Sequence, residues 1–246
     1  MRLWQLVSAQ RRLLPKGLEQ LVFRLDRQGG RHLVASTPDA GGWPDARRLH
    51  AELVRGGEPA TLWWRPAGGA ARAMAGVGEA FPVTSFEQVH PAMGARVRAF
   101  AVEQLGPVGG RHVWDLYAGI GETTAALGAA GARVTSVEAD RRAVHEAERC
   151  GVPASRHAEL VESVVGQLDR PDLAVTNPPR IGMHAAVTTA LEARGPSRLV
   201  YVSCDPATLA RDLNRLPGYQ LGTVRAFDLF PQTAHVETVA VLDRVA

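Results

Sequence analysis

Cysteine, lysine and long apolar runs are all scarce in this chain. Its two cysteines, Cys150 and Cys204, are too few to frame a disulfide scaffold, a zinc knuckle or an iron–sulfur cluster. His90 and His157 lack the companions a metal would need, so no metal site is expected. No stretch approaches the roughly 20 uninterrupted apolar residues of a membrane span. The first residues, with Arg2, Gln5, Gln10, Arg11 and Arg12, have neither the apolar core nor the small-residue cleavage site of a secretory signal. A cytoplasmic monomer with no membrane partner is the expectation. Lysine occurs once, as Lys16, so nearly all positive charge is carried by arginine, whose planar donor fork suits phosphates and base edges.

What is present is an ordinary globular composition, 46% apolar and 22% charged, with room for one large domain or a medium one with an appendage. Charge divides it unevenly. Up to Thr84 there are 12 basic against 7 acidic residues, and from Ser85 onward 16 against 18. A basic amino-terminal part favours a polyanionic partner. Residues 1–84 read as a small α+β domain. Residues 1–16 give no clear pattern. Leu21, Phe23 and Leu25 alternate before a Gly29-Gly30 turn, and Leu33 and Val34 follow it, which predicts a hairpin. A short helix over 46–54 and a strand over 61–64 come next, then a loose Gly/Ala-rich stretch over 66–78. Trp43, Trp63 and Trp64 fall in this part, to be read first as core and second as base-stacking rings.

Residues 85–246 read as a second domain. After a helix over 92–105, strands at 113–117, 133–139, 172–176 and 198–203 alternate with helices, and a weak strand is expected near 152–155. That alternation predicts an α/β fold, a Rossmann-like parallel sheet with helices on both faces. The last two strands, 223–230 and 236–242, are joined by Pro231 to His235, too short for a helical crossover, so they form an antiparallel hairpin.

In such a sheet, ligands bind beyond the carboxyl ends of the strands. The first strand ends in Asp115-Leu116-Tyr117-Ala118-Gly119-Ile120-Gly121, where Gly119 and Gly121 permit a tight turn into a helix N-terminus. The second ends at Glu138, placed either to accept the hydroxyl hydrogens of a ribose or to sit at a helix start. Asn177-Pro178-Pro179-Arg180 presents an amide from a stiff edge. Cys204 closes the run Leu199-Val-Tyr-Val-Ser-Cys at the start of another helix, as an inert core thiol or a nucleophile. Because the final strand is reversed, Glu237 at its beginning should meet Cys204, Asn177, Glu138 and Tyr117 on one rim.

Four segments, Asp-Leu-Tyr-Ala-Gly-Ile-Gly, Asn-Pro-Pro-Arg, Ser-Cys-Asp-Pro-Ala-Thr-Leu-Ala-Arg-Asp and Asp-Leu-Phe-Pro-Gln-Thr-Ala-His-Val-Glu, follow in this order from Asp115 to Glu237. In this the chain resembles the RNA uracil-5-methyltransferases, over about residues 84–244. The resemblance implies a class I methyltransferase fold and S-adenosylmethionine as cofactor, with uridine in tRNA or rRNA as substrate. It implies that Cys204 adds to carbon 6 of the base and that Glu237 removes the proton from carbon 5. It also implies that Gln88, Tyr117, Gly119, Gly121, Glu138 and Asn177 contact the cofactor. The chain departs from the family pattern at Asn177, where the family has Asp, at Glu122, where it has Asn, and at His157, where an Asp is usual. It resembles a shortened member without the RNA-binding TRAM domain. Two other readings stand beside this one: an N-methyltransferase using the Asn-Pro-Pro segment, and a non-catalytic module that binds S-adenosylmethionine or RNA.

Overall fold

The computed structural model describes residues 2–25, 29–39, 41–76, 91–149, 151–229 and 236–245. The chain divides into two compact units, Met1–Thr84 and Ser85–Ala246. Each has its own sheet.

The first unit runs α1 (Arg2–Ala9), a 3-10 turn (Arg11–Leu13), β1 (Gln20–Leu25), β2 (Arg31–Thr37), α2 (Ala46–Arg55), β3 (Thr61–Pro66) and β4 (Arg72–Ala75). β1 and β2 form the expected hairpin. α2 then carries the chain across to β3, which lies parallel to β2. Two elements differ from the sequence reading. Residues 2–13 are helical, and Val7 and Leu13 are buried in the core of the unit. β4 has no β-branched residue and exists by antiparallel pairing to β3. The three tryptophans are core: Trp43, Trp63 and Trp64 are buried. Their indole N–H groups donate to the Leu13 carbonyl (2.7 Å), His32 Nδ1 (3.0 Å) and Thr37 Oγ1 (3.0 Å).

The second unit runs α3 (Pro91–Gln104), β5 (His112–Leu116), α4 (Glu122–Ala129), β6 (Arg133–Val137), α5 (Arg141–Arg149), β7 (Ser155–His157), α6 (Val161–Val164), β8 (Leu173–Thr176), α7 (Ala185–Arg194), β9 (Arg198–Ser203), α8 (Pro206–Leu213), β10 (Tyr219–Phe227) and β11 (Glu237–Arg244). The sheet order is β10-β11-β9-β8-β5-β6-β7. Only β11 is reversed, antiparallel to β9 on one side and β10 on the other. This is the expected Rossmann-like sheet of class I methyltransferases.

Both faces of the sheet are buried, so its strands are apolar without polar alternation. Period-two geometry sends successive residues to opposite faces. On one face Trp114, Leu116, Leu199 and Tyr201 pack against Val161, Val187, Leu191 and Leu209 of the helices α6 to α8. On the other, Val113, Val175, Val200, Val202 and Val239 pack against Val97 and Ala101 of α3 and Leu105 just beyond it. Each large apolar side chain fully buried in this way contributes roughly 1.5–3 kcal/mol.

The apolar spacing of Val161, Val164, Val165 and Leu168 predicts a helix over 158–168, and all four are buried, but α6 is only one turn long. Gly166, which carries a high entropic cost in a helix, and Pro171 follow it. β10 starts earlier than expected, at Tyr219, with a register shift between Leu221 and Val224. It is an edge strand exposed over most of its length. No helix among the described residues is long and apolar enough to cross a membrane.

Candidate active site at the carboxyl edge of the large sheet

A cavity of about 1130 Å³ opens at the carboxyl edge of the second sheet. It is larger than the roughly 300–1,000 Å³ that suits one small ligand. Tyr117, Gly119, Glu138, Asn177, Cys204 and Glu237 all line it. The strand alternation explains why. Val113, Val175, Val202 and Val239 face α3. Two residues along from each stand Asp115, Asn177, Cys204 and Glu237, so the same face that is apolar in mid-sheet turns polar at its edge.

The turn after β5 is held in a conformation that side chains rarely adopt. Tyr117, Gly119 and Gly121 have φ of 61°, 55° and 78°. For a non-glycine residue such as Tyr117 this costs about 1–2 kcal/mol. The surrounding bonds fix it: Ala118 N–H donates to the Val137 carbonyl and Gly121 N–H to that of Ala118, both at 3.0 Å. Nothing would meet a Cβ at Gly119, whereas one at Gly121 would come within 2.8 Å of the Ala147 Cβ. Gly121 therefore serves helix packing, and Gly119 leaves open space beside the cavity. Burial, then the charge of Glu162, pushes the Tyr117 phenol above its ordinary range, so it stays protonated.

Glu138 joins the two readings the sequence left open. One carboxylate oxygen accepts from Gly119 N–H and the other from Asp140 N–H, each at 2.8 Å. The side chain thus braces the glycine turn and also meets the backbone at the start of α5. Each oxygen retains a lone pair for a ligand hydroxyl.

Cys204 and Glu237 are brought together by register. Thr238 pairs with Ser203 across the antiparallel β9–β11 ladder. Continuing by one residue sets Glu237 opposite Cys204, with both side chains on one face. Glu237 is wholly buried and Cys204 partly so. Burial first, and the Glu237 charge second, raise the thiol above its usual pKa. The α8 N-terminus does not reverse this, because Asp205 caps it: its Oδ1 accepts from Ala207 N–H (2.9 Å) and Thr208 N–H (3.2 Å). Those bonds, with Arg180 at 3.7 Å, hold the Asp205 carboxyl below the usual range. The resting cysteine is a thiol.

Three further groups were not singled out from the sequence. Asp115 is buried, accepts from Thr124 Oγ1 at 2.6 Å, and is raised by burial to about 7. An acid inside a strand buried on both faces, His112-Val-Trp-Asp-Leu, was the available signal. Glu122, one of the family departures, forms a two-bonded ion pair with Arg98 of α3 (2.9 and 3.0 Å). Nothing in the sequence pattern marks Arg98. Asp212 is fully buried, and its carboxylate ties three segments together. It accepts from Met183 N–H (2.7 Å), from the Tyr201 hydroxyl (2.8 Å) and from Arg211 (2.7 Å). Its signal was an acid on the apolar stripe formed by Leu209 and Leu216.

Gln88, His235 and Cys150 lie outside the described residues.

Residues 169–245 match the sequence family described as tRNA (uracil-5-)methyltransferase. An uncharacterized RNA methyltransferase of Geobacter sulfurreducens is 43% identical over 170 residues, 64% of this chain and 34% of that protein. The 23S rRNA (uracil(747)-C(5))-methyltransferase of Salmonella paratyphi B is 32% identical over 166 residues, 65% of this chain and 44% of that protein. The chain thus spans less than half the length of these curated relatives. In fold it is similar to the Pyrococcus abyssi tRNA (uracil-54, C5)-methyltransferase solved with S-adenosyl-L-homocysteine. The TM-score is 0.70 at 22% identity, covering 98% of this chain and 65% of that one. Over residues 169–245 the chain is thus similar to the tRNA (uracil-5-)methyltransferase family, and over about two thirds of its length to RNA methyltransferases.

Proposed function

We propose that this chain methylates carbon 5 of a uridine in tRNA or rRNA, with S-adenosylmethionine as cofactor and Cys204 and Glu237 as the catalytic pair. The observation that carries the reading is the register of β9 against β11, which sets a thiol and a buried carboxylate face to face in one cavity.

The residues on the Gly119 side fit the cofactor. Open space at Gly119 admits a ligand against backbone, and Glu138 is a fixed double acceptor for ribose hydroxyls. Tyr117 and Asn177 line the same space, whereas Gly121 does not, and Gln88 is assigned to the cofactor by resemblance alone. When bound, S-adenosylmethionine supplies the methyl group that carbon 5 takes up.

The protein's own part has two steps. Once the Cys204 thiol has lost its proton to solvent, Sγ bonds to carbon 6, and the C5–C6 π pair moves onto carbon 5 and its conjugated carbonyl, which makes carbon 5 nucleophilic. After carbon 5 is alkylated, Glu237 accepts its proton; the electron pair of that C–H bond restores the double bond, and the S–C6 bond breaks. Glu237 is well placed for a base that must act in a water-poor site. The target uridine has to be unstacked for the thiol to reach its ring face, so a loop base or a flipped base is expected.

The test uses RNA carrying 5-fluorouridine and labelled S-adenosylmethionine. Fluorine replaces the removable proton, so a labelled protein–RNA adduct that survives denaturation should accumulate and be absent in Cys204→Ala. Label transferred to an adenine amino group, or RNA binding with neither adduct nor transfer, would overturn the reading.

A further inference from the structure

The cavity is electrically divided. Among the described residues lining it are four arginines, and Arg98 is matched with Glu122. The other three, Arg180, Arg211 and Arg215, all come from the segments that flank Cys204. On that side the cations are the more exposed, although Asp205 beside Arg180 (3.7 Å) is a partly exposed acid, and a second, Glu162, also lines the cavity. The side chains of Arg180, Arg211 and Arg215 are 59%, 42% and 39% exposed, whereas Asp212 and Glu237 are fully buried. Asp115, Glu138 and Asp140 lie across the sheet, at the ends of β5 and β6.

Arg211 and Arg215 do not reach this place as loose surface side chains. Arg211 Nε (3.0 Å) and Nη2 (2.7 Å), and Arg215 Nη1 (3.4 Å), all donate to one oxygen of Asp212. Arg211 Nη2 also donates to the Ile181 carbonyl at 2.7 Å. The other Asp212 oxygen holds Met183 N–H and the Tyr201 hydroxyl. A Cβ at Gly182 would collide with both Arg211 and Asp212, so the loop after Asn177 is seated directly on the pair. One buried carboxylate balancing two guanidiniums leaves a net positive charge with pre-set orientation. A purely structural staple needs only one arginine.

We propose that Arg211 and Arg215, oriented by Asp212, form a phosphate receptor that grips the RNA strand beside the uridine presented to Cys204. Arg211 follows Cys204 by two turns of helix, roughly 10 Å of rise, which is within reach of a neighbouring backbone phosphate. Guanidinium is the side chain best matched to phosphate oxygens, and orienting it beforehand reduces the entropy lost on binding. Asp212 is a positioning residue in this scheme. The proposal rests on the RNA reading above.

The test compares wild type, the double variant Arg211→Ala/Arg215→Ala, Arg211→Lys and Asp212→Asn. Affinity for a tRNA transcript is measured by fluorescence anisotropy over a series of salt concentrations, and affinity for S-adenosylhomocysteine by calorimetry. Backbone contacts are sequence-independent, so any structured transcript probes them. The double variant should bind RNA about tenfold more weakly at low salt, with the slope of log K against log salt shallower by about 1 to 2. Its S-adenosylhomocysteine affinity should be unchanged. Arg211→Lys should recover the slope, and Asp212→Asn should weaken RNA binding with the slope retained. Unchanged RNA affinity and slope in the double variant would overturn the receptor alone. So would a loss confined to S-adenosylhomocysteine, which would mark the arginines as a carboxylate site for the cofactor. Wild type that neither binds RNA nor forms the 5-fluorouridine adduct would overturn the underlying reading as well.

Discussion

The two units differ in which polar groups they bury. Among the described residues of 1–84 these are indoles, a histidine and hydroxyls: Trp43 donates to a carbonyl, Trp63 to His32 and Trp64 to Thr37. Residues 85–246 also bury threonines and serines, but among the described residues they alone bury carboxylates, those of Asp115, Asp212 and Glu237. All three belong to segments at the carboxyl edge of the sheet. Neutral partners can be buried at little net cost, whereas a buried carboxylate is expensive and persists where it orients cations or handles protons. The contrast separates side chains that make the fold from those that make the site.

The sharpest way to break that contrast is at Cys204. Cys204→Ala should abolish the covalent adduct and lower methyl transfer by about ten-thousand-fold or more, while the thermal midpoint moves little. Loss of folding in this variant would mean the edge is structural after all. Next in size is Glu237→Gln, for which methyl transfer should fall about 10²–10⁴-fold, with the adduct now accumulating on ordinary uridine. Its pH dependence is a finer probe. The thiol lies above its ordinary pKa, partly because of Glu237, so adduct formation in wild type should rise with pH through neutrality. Removing the charge should shift that rise to lower pH, readable by quenched-flow or gel assay at a series of pH values.

The first unit supplies the converse. Trp64→Ala removes a buried ring and its bond to Thr37 Oγ1, which keeps its own bond to the Asp39 carbonyl, and should cost about 3–5 kcal/mol in urea denaturation. The folded fraction should still form the adduct. An effect confined to the pH profile belongs to Asp115. Burial raises it from 3.8 to about 7 in the folded state, so the folded protein binds more protons between those values, and stability falls as pH rises through that window. Asp115→Asn should flatten the fall, by at most about 1.4 kcal/mol per pH unit. An equal fall in the variant would assign it to another group.

Much of the large sheet was legible because its strands are short apolar β-branched runs between helices, and the five-residue connection Pro231 to His235 forces β11 to reverse. That reversal is what made the meeting of Cys204 and Glu237 readable before any coordinates. Elements held by pairing rather than by their own pattern were less legible. β4, Arg-Ala-Met-Ala, was missed because it has nothing but its ladder to β3 to make it a strand, and β10 was expected at 223–230 but starts at Tyr219, because most of its length is exposed and carries little apolar pattern. In the site, Asp115 and Asp212 had a signal in the sequence, an acid where the periodicity demands an apolar residue. Arg98 had none, because its pairing with Glu122 joins two helices that are distant in the chain. The balance of influences on Cys204 was also closed to sequence. It depends on Asp205 capping α8 and on the depth to which the thiol is buried.

The capped helix also bears on how the thiol meets other reagents. Oxidants and alkylating agents attack thiolates far faster than thiols. Burial and the Glu237 charge both favour protonated Cys204, and Asp205 occupies the nearby helix end, so slow reaction with peroxide and alkylating agents is the expected outcome. The arrangement that on the proposed mechanism holds thiol and base together would then also protect the thiol.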